Sequence, residues 1–215
     1  MLNNIHSHYI APYTITSIDC VSDDIMPLTN TFSVGIHPWS TTSIEQNKQS
    51  ILNRCAELAL HPNCIAIGEC GLDKLKGGDF NLQLELFHFQ LELANKLDKP
   101  IIIHCVKAYN ELMNIRKQNP SNKWILHGFR GKKELALQLE RHDIHLSFGI
   151  HLLTSKQVQT AFLAIEKNKF FFETDEESPE LIDEIIKCAA QLKNVSLEQL
   201  HQQIEHNIKE TFRID

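Results

Sequence analysis

The stretch KFFFETDEESP, from Lys169 to Pro179, places three consecutive phenylalanines directly before four carboxylates. A short run of large apolar residues is typical of a strand that is buried on both faces. The carboxylates begin where such a strand would end. We therefore expect a buried strand whose tip brings Asp175 to a polar site, with Glu176 and Glu177 in a solvated loop. The simpler alternative is a buried strand that only meets a solvated turn.

Seven further runs of this kind occur along the chain, each bounded by polar or turn residues: LNNIH, TITSIDCV, FSVGIH, CIAIGE, PIIIH, KWILH and IHLSF. Helical patterns lie between most of them. The clearest is an apolar repeat at helical spacing before Pro100, formed by Leu82, Leu86, Phe89, Leu93 and Leu97. Strands that alternate with helices predict an α/β fold, a TIM-like (β/α)8 barrel, in a single domain over residues 1–215.

The alternation is weaker near the N-terminus. Only a few residues separate LNNIH from TITSIDCV, whereas a crossover helix between parallel strands needs about a dozen. The segment up to Phe32 also lacks room for a full second helix. The predicted barrel is therefore trimmed near its N-terminal βα units, which would leave one side thinly covered.

Composition argues against several classes of protein. The net charge of −6 gives no global basic field for nucleic acid or an anionic membrane, so a phosphate-binding surface would have to be local. No segment approaches the roughly 20 apolar residues of a membrane span, and no signal pattern is evident, so we expect a cytoplasmic protein without membrane association. The six cysteines form no CxxC pair, which favours reduced, buried thiols over a zinc–thiolate site.

Histidines and acids lie at or just after the strand runs. In an α/β barrel the carboxyl ends of all strands open on one face, so side chains that are remote in sequence converge there. These residues are His6, His8, His37, Glu69, His104, His127 and Asp175. Because alternate residues of a strand point the same way, His6 and His8 can face one point. Taken alone, the HxH pair could also be two incidental histidines.

Imidazole and carboxylate ligands together suit zinc, manganese or iron, whereas magnesium prefers more oxygen ligands. Two metals about 3.5–4 Å apart would need a bridging carboxylate, and Glu69 is the natural candidate. The metals would lower the pKa of a bound water towards about 7 and polarise a phosphoryl or carbonyl oxygen. Asp175 could ligate a metal, hold that water and accept its proton.

Basic residues follow three of the same strands, where they would line the same face: Lys74, Lys76, Lys107, Arg130, Lys132 and Lys133. A local cationic rim on an acidic protein favours an anionic substrate. The alternative is that these loop side chains only keep the surface hydrated.

Six motifs occur in order, IHSH, VGIHPW, IGECGLD, PIIIHC, LHGFRG and FETD, and the chain closes with SLEQLHQQIEHNIKETF. With these motifs the chain resembles, essentially end to end, the TatD family of metal-dependent deoxyribonucleases within the amidohydrolase-like barrels. The resemblance implies metal-assisted hydrolysis of phosphodiester bonds in DNA with two divalent ions, which could be Zn, Mn or Mg.

The resemblance also implies roles for individual residues. Glu69 would be shared between the metals, and His37 would lie on the substrate side. The metal ligands would be His6, His8, Glu69, His104, His127 and Asp175. From the residues themselves, Glu69 and Asp175 are the predicted catalytic residues, and Lys107 and Arg130 of the basic set are the predicted substrate contacts.

Two other functions stay open. One is a hydrolase of the same barrel class that acts on a small phosphoester, lactone or amide. The other is a non-catalytic barrel that keeps metal for stability or binds a partner. Its support is Asn4 and Val106, since the family usually has an acidic residue at the first position and often an arginine at the second. We expect a monomer or a weak oligomer.

Overall fold

The computed structural model describes residues 2–21, 29–44 and 47–214. The strands are β1 Asn4–Ser7, β2 Thr14–Asp19, β3 Phe32–Gly35, β4 Cys64–Asp73, β5 Ile101–Val106, β6 Trp124–Leu126, β7 Ile144–Phe148 and β8 Phe170–Phe172. The α-helices are α1 Lys48–Ala59, α2 Phe80–Leu97, α3 Tyr109–Gln118, α4 Lys133–Arg141, α5 His151–Thr154, α6 Lys156–Ala164, α7 Ile182–Lys193 and α8 Leu197–Phe212. Two short 3-10 helices span Pro38–Thr42 and Pro179–Leu181.

The eight strands belong to one sheet in which the order along the chain is also the order in the sheet, from β1 to β8. The pairs β1–β2, β3–β4, β4–β5 and β7–β8 are parallel. A parallel bridge between Ser7 and Asp175 joins β1 to the segment that follows β8. This is the connectivity of an eight-stranded α/β barrel, so the predicted fold class is confirmed, and each of the eight predicted runs contains or overlaps a strand.

The first connection is short, as predicted. Residues 8–13 link β1 to β2 and contain no helix. The second connection covers residues 20–31, and residues 22–28 of it lie outside the described part of the chain.

The chain divides into two compact units, one of Met1–Thr16 with Ile125–Asp215 and the other of Ser17–Trp124. That the whole chain forms a single domain stays a prediction.

In the first unit, the phenylalanines of β8 are fully buried. The rings of Phe170 and Phe172 lie 5.1 and 5.8 Å from the ring of Phe162 in α6. Phe171 points to the opposite face of the strand and stacks on His145, with the ring centroids 5.8 Å apart. Aromatic contacts at this spacing add to the free energy gained from burial alone. The three phenylalanines therefore hold β8 in place from both faces. This also fixes the start of the segment that leads from β8 to Asp175.

In the second unit, α2 buries a partly polar face against β4. The Gln90 side chain accepts the Ile36 N–H (2.7 Å) and donates to the Ile36 carbonyl (3.2 Å). The Gln83 side chain makes the same pair of bonds to Asp73, at 2.8 and 3.0 Å. The predicted apolar face is therefore only partly correct, since four of its five residues are half-buried: Leu82, Phe89, Leu93 and Leu97. The buried face instead satisfies backbone groups beyond β3 and at the end of β4.

Two glycines of the IGECGLD motif allow β4 to run close to β5. Gly68 and Gly71 have φ angles of +131° and +140°. A Cβ atom on Gly71 would lie 2.0 Å from the His104 carbonyl oxygen, so only glycine fits there. The expectation that Glu69 marks the end of this strand was wrong, because β4 continues to Asp73 after a shift in register between Ile67 and Cys70.

Candidate metal centre

In the second unit, two imidazoles converge on one oxygen of Glu69, whose side chain is only 5% exposed. Nε2 of His37 lies 3.0 Å and Nδ1 of His104 lies 2.9 Å from Oε1 of Glu69. The ligand atoms that these three residues offer all lie within 4.8 Å of one another, as a metal site requires. We call His37, Glu69 and His104 the Glu69 cluster.

Both histidines lie at a distance from Glu69 that fits two ligands of one ion, so the distances alone do not separate them. Neighbouring ligands about 2.1 Å from an ion and at right angles to each other are about 3 Å apart, which agrees with the 2.9 Å between Nδ1 of His104 and Oε1 of Glu69. His37 differs, because its Nδ1 accepts the Trp39 backbone N–H at 3.1 Å. A neutral imidazole with its lone pair at Nδ1 carries its proton at Nε2. His37 therefore donates to Glu69 and is better suited to donate to a substrate than to bind a metal.

Asp73, at the end of β4, contacts the Glu69 cluster through the second ring nitrogen of His104. Its Oδ2 lies 3.2 Å from Nε2 of His104 and accepts the Trp39 indole N–H at 2.7 Å. Its Oδ1 accepts the backbone N–H groups of Leu75 (2.7 Å) and Lys76 (3.0 Å). Burial alone would raise the pKa of the Asp73 carboxyl, but these hydrogen bonds outweigh burial and lower the pKa below its usual value.

In the first unit, backbone pairing brings His6, His8 and Asp175 together. The His8 N–H donates to the Asp175 carbonyl (3.0 Å), and the Asp175 N–H donates to the His6 carbonyl (3.1 Å). As a result, Nε2 of His6 and Nε2 of His8 each lie 3.5 Å from Oδ1 of Asp175. This is close to the separation of about 3.4 Å between tetrahedral ligands at 2.1 Å from zinc. We call these three residues the Asp175 cluster.

Burial raises the pKa of the Asp175 carboxyl, but the imidazoles of His6 and His8 have the larger combined effect and hold that pKa well below its usual range. His127 lowers it further through its charge. Asp175 is therefore ionised at neutral pH, as a metal ligand must be.

His127 lies beside the Asp175 cluster, with its ring centroid 4.3 Å from that of His6. A buried glutamate, Glu173, faces it from the other side, with Oε1 at 3.4 Å from Nδ1 of His127. The same oxygen accepts the Gly128 N–H at 2.6 Å. Glu173 is 0% exposed, and in the described part of the chain its Oε2 has no hydrogen-bond partner. Such a carboxylate can orient a ligating histidine by accepting its second N–H.

The structure thus places each of the six predicted ligands in or beside one of the two clusters. His6, His8 and Asp175, with His127 next to them, belong to the first unit, and Glu69 and His104 belong to the second. Their roles as ligands, and the sharing of Glu69 between two metals, stay predictions.

The predicted basic rim is only partly available to a substrate. Lys107 and Arg130 are exposed, directly after β5 and three residues after His127. Lys74 forms an ion pair with Glu111, and the ammonium group of Lys76 lies 4.1 Å from the centre of a Trp39 ring.

Sequence analysis missed three residues with evident roles at the clusters: Trp39, Asp73 and Glu173. All three lie inside the quoted motifs VGIHPW, IGECGLD and FETD. Their positions in those motifs were the available signal, but only the fold shows which side chains they contact.

The helices of the described residues include none that combines the length and the apolar character needed to span a membrane.

Comparison with known proteins gives consistent matches. The profile of the family described as TatD related DNase matches residues 14–213. The metal-dependent hydrolase YabD of Bacillus subtilis, which is itself uncharacterised, is 26% identical over 85% of this chain and 77% of its own length. A protein named 3'-5' ssDNA/RNA exonuclease TatD, from a Rahnella species, is 35% identical over 53% of this chain and 47% of its own.

Solved structures give the same fold. The crystal structure of YjjV, a TatD homologue from Escherichia coli, superposes with a TM-score of 0.82 at 17% identity and covers 100% of this chain and 98% of that one. A TatD-family hydrolase from Entamoeba histolytica gives a TM-score of 0.75 at 20% identity, over 85% of this chain and 74% of its own. The chain therefore belongs to the TatD-related DNase family, and the predicted class of enzyme, a TatD-type metal-dependent hydrolase, is confirmed.

Proposed function

We propose that the protein hydrolyses phosphodiester bonds in single-stranded nucleic acid and uses divalent ions held by the Glu69 and Asp175 clusters. The observation that carries this proposal is that the imidazole nitrogens of His6 and His8 approach one oxygen of Asp175, and that Nδ1 of His104 approaches one oxygen of Glu69. Packing alone does not call for such an arrangement of buried or half-buried polar groups, whereas a divalent cation does. The name of the Rahnella relative, an exonuclease on single-stranded DNA and RNA, supports nucleic acid as the substrate.

The proposed ligands suit two divalent ions, which could be Zn, Mn or Mg. Bound divalent ions supply charge that stabilises the phosphoryl oxygens, and they lower the pKa of a water molecule towards about 7. The ligands are the six residues predicted from the sequence: His6, His8, Glu69, His104, His127 and Asp175.

The remaining chemistry falls to side chains of the protein. Asp175 is ionised because its pKa is low, and we propose that it orients the attacking water and takes its proton. His37 is held by Trp39 with its N–H at Nε2, which donates to Glu69, and we propose that this N–H donates to a phosphate oxygen instead when substrate binds. Lys107 and Arg130 are proposed to attract phosphates of the nucleic acid. A cytoplasmic location and a monomeric or weakly oligomeric state stay predictions.

The test is an assay of the purified protein with Mg²⁺, Mn²⁺ or Zn²⁺ on single-stranded DNA labelled at the 3′ or the 5′ end. Each of His104→Ala and His127→Ala removes one proposed ligand and is expected to lower turnover about 100-fold or more. His88→Ala is the matched control, because His88 lies exposed on α2, and it should leave turnover unchanged.

The same assay separates the competing functions. Bis-p-nitrophenyl phosphate serves as a small phosphodiester in a parallel reaction. Turnover of this compound without cleavage of DNA would favour the small-substrate hydrolase. Metal-loaded protein that is inert towards both would favour the non-catalytic barrel and contradict the proposal.

A further inference from the structure

Trp39 is a large aromatic side chain beside the Glu69 cluster that has no role in the proposed hydrolysis. Its ring centroid lies 4.7 Å from that of His37 and 5.6 Å from that of His104, and both imidazoles are nearly perpendicular to the indole. Even so, Trp39 is 38% exposed. An exposed indole gives up part of the free energy that burial would supply, so its exposure next to a proposed phosphate site calls for an explanation.

The indole is held in one orientation. Its N–H donates to the buried Asp73 carboxylate at 2.7 Å, and the Trp39 backbone N–H donates to Nδ1 of His37 at 3.1 Å. A ring that is fixed before a ligand arrives loses little conformational entropy when a flat group stacks on it. The structure therefore presents a rigid, half-exposed aromatic surface.

The exposed loop of residues 74–79 packs against the 3-10 helix that begins beside Trp39. The Gly78 N–H donates to the Thr41 hydroxyl at 2.8 Å. Gly77 has a φ of +89°, and a Cβ atom there would lie 2.5 Å from the Pro38 carbonyl oxygen, so the close approach requires glycine. This packing places the ammonium group of Lys76 4.1 Å from the centre of a Trp39 ring.

The contact between Lys76 and the ring is weak enough for a base to replace it. A cation–π contact at an exposed site changes an equilibrium constant by about 2- to 5-fold. Stacking of a nucleic-acid base on an aromatic side chain is worth about 5- to 150-fold. A base that takes the place of the ammonium group is therefore favoured, and Lys76 becomes available to pair with a phosphate.

We infer that Trp39 is the surface on which a base of the substrate stacks, next to the phosphate at the Glu69 cluster, and that Lys76 then pairs with a phosphate of the same strand. This inference rests on the proposed function in one respect, that the substrate is a single-stranded nucleic acid. Since every base has a π-face, such a site binds without strong sequence preference.

The first measurement is the tryptophan fluorescence of the purified protein during titration with a thymidylate oligomer of about eight nucleotides, a common site size. EDTA is present so that no cleavage occurs. The chain contains two tryptophans, and the second, Trp124, is only 1% exposed. A base stacked on Trp39 is expected to quench the Trp39 emission and to leave that of Trp124 unchanged. A lack of quenching would overturn the inference.

The matched control is an oligomer of the same length that carries abasic sites, and so has the same phosphates without bases. The affinities of both oligomers are measured by fluorescence anisotropy of a terminal fluorescein label. The thymidylate oligomer is expected to bind about 5-fold or more tighter than the abasic one. Equal affinity of the two oligomers would overturn the inference.

Trp39→Leu removes the ring, so the ratio of the two affinities is expected to fall to about 1. The ratio is decisive because Trp39→Leu also removes a donor to Asp73, and a purely structural role of Trp39 would weaken both oligomers equally and preserve the ratio. Tyr13→Leu replaces another exposed aromatic residue, just before β2, and is expected to leave both affinities unchanged. If Trp39→Leu does not fold, the two wild-type measurements still decide.

Lys76→Met tests the second part of the inference. It is expected to keep the quenching and to reduce the slope of log affinity against log salt concentration by about 0.7, the value for one phosphate of a single strand. An unchanged slope would contradict the role of Lys76.

These measurements involve no hydrolysis, so they separate the inference from the proposed function. Base-dependent quenching by a protein that cleaves no nucleic acid would support the stacking site and contradict the hydrolysis. Cleavage of single-stranded DNA without base-dependent quenching would do the reverse.

Discussion

Asn4 is a buried polar residue of β1, and its contacts make a sharp prediction for Asn4→Ala. Asn4 is 0% exposed. Its amide donates to the Thr174 hydroxyl at 2.8 Å, and its carbonyl oxygen accepts the Thr174 N–H at 3.2 Å. Thr174 directly precedes Asp175, so this pair fixes β1 against the segment that carries a proposed ligand.

The expected cost follows from which groups lose their partners. In Asn4→Ala the buried Thr174 hydroxyl loses its partner, which costs about 1–3 kcal/mol, and the His6 N–H loses a long contact to the Asn4 carbonyl oxygen at 3.4 Å. The Thr174 N–H keeps a second acceptor, the His6 carbonyl at 3.3 Å. Losing its bond to Asn4 should therefore cost less than losing a full hydrogen bond, about 0.5 kcal/mol. We expect the free energy of unfolding to fall by about 2 kcal/mol. The distances from His6 and His8 to Asp175 should also become less well defined, which would weaken metal binding.

The assay is equilibrium unfolding in urea, combined with a double-mutant cycle. Thr174→Val removes the hydroxyl and keeps the shape, so it leaves the Asn4 amide without its partner. The double variant leaves neither group unpaired, and its cost should be less than the sum of the single costs by about 1 kcal/mol. Asn114→Ala, at an exposed position of α3, is the control and should change stability by no more than about 0.5 kcal/mol.

Two results would refute this reasoning. One is a cost for Asn4→Ala below about 0.5 kcal/mol, which is the size expected of an ordinary surface change. The other is additivity of the two single variants, which would mean that the side chains of Asn4 and Thr174 do not depend on each other.

Two further predictions concern other buried groups. Glu173→Gln should weaken metal binding about 10-fold, because the neutral amide holds His127 less firmly. It should not destabilise metal-free protein, because it removes a buried charge; unchanged affinity in a calorimetric titration would contradict this. Of the six cysteines, only Cys188 is not buried, and burial raises the pKa of Cys64 to about 11 and that of Cys105 to about 12. A thiol reagent at neutral pH should therefore modify one cysteine in native protein and six in denaturant, and rapid modification of more than one native thiol would show that the buried sulfurs are accessible.

Much of the fold could be predicted because its strands are recognisable in the sequence as short apolar runs. A parallel strand buried on both faces is a short, continuous apolar run, and each of the eight predicted runs contains or overlaps a strand. The end of β4 could not be predicted in this way. Its register shift and its continuation past Glu69 depend on the close approach of β5, which the two glycines at positions 68 and 71 allow.

The buried face of α2 shows a second limit of periodicity. Leu82 and Phe89 fit an apolar stripe, yet the helix turns Gln83 and Gln90 inward, because backbone groups near the ends of β3 and β4 need hydrogen bonds. Periodicity reports where apolar residues recur. It carries no information on polar groups elsewhere in the chain that a buried amide must satisfy.

The candidate ligands could be selected from the sequence because they stand beside strand runs, where side chains of an α/β barrel meet. Asp73 and Glu173 were missed although they stand in the same motifs. Their partners, His104 and His127, are 31 and 46 positions away in the sequence, and only the fold shows that a carboxylate faces the outer nitrogen of each ring.

Calorimetric titration of metal-free protein with Mn²⁺ or Zn²⁺ tests most directly whether the two histidine–carboxylate clusters bind divalent ions. Wild-type protein is expected to bind two ions, His8→Ala and His104→Ala are each expected to lose one tightly bound ion, and His88→Ala should bind as wild type does. Binding that is unchanged when His8 and His104 are both replaced would contradict the assignment of the clusters as metal sites.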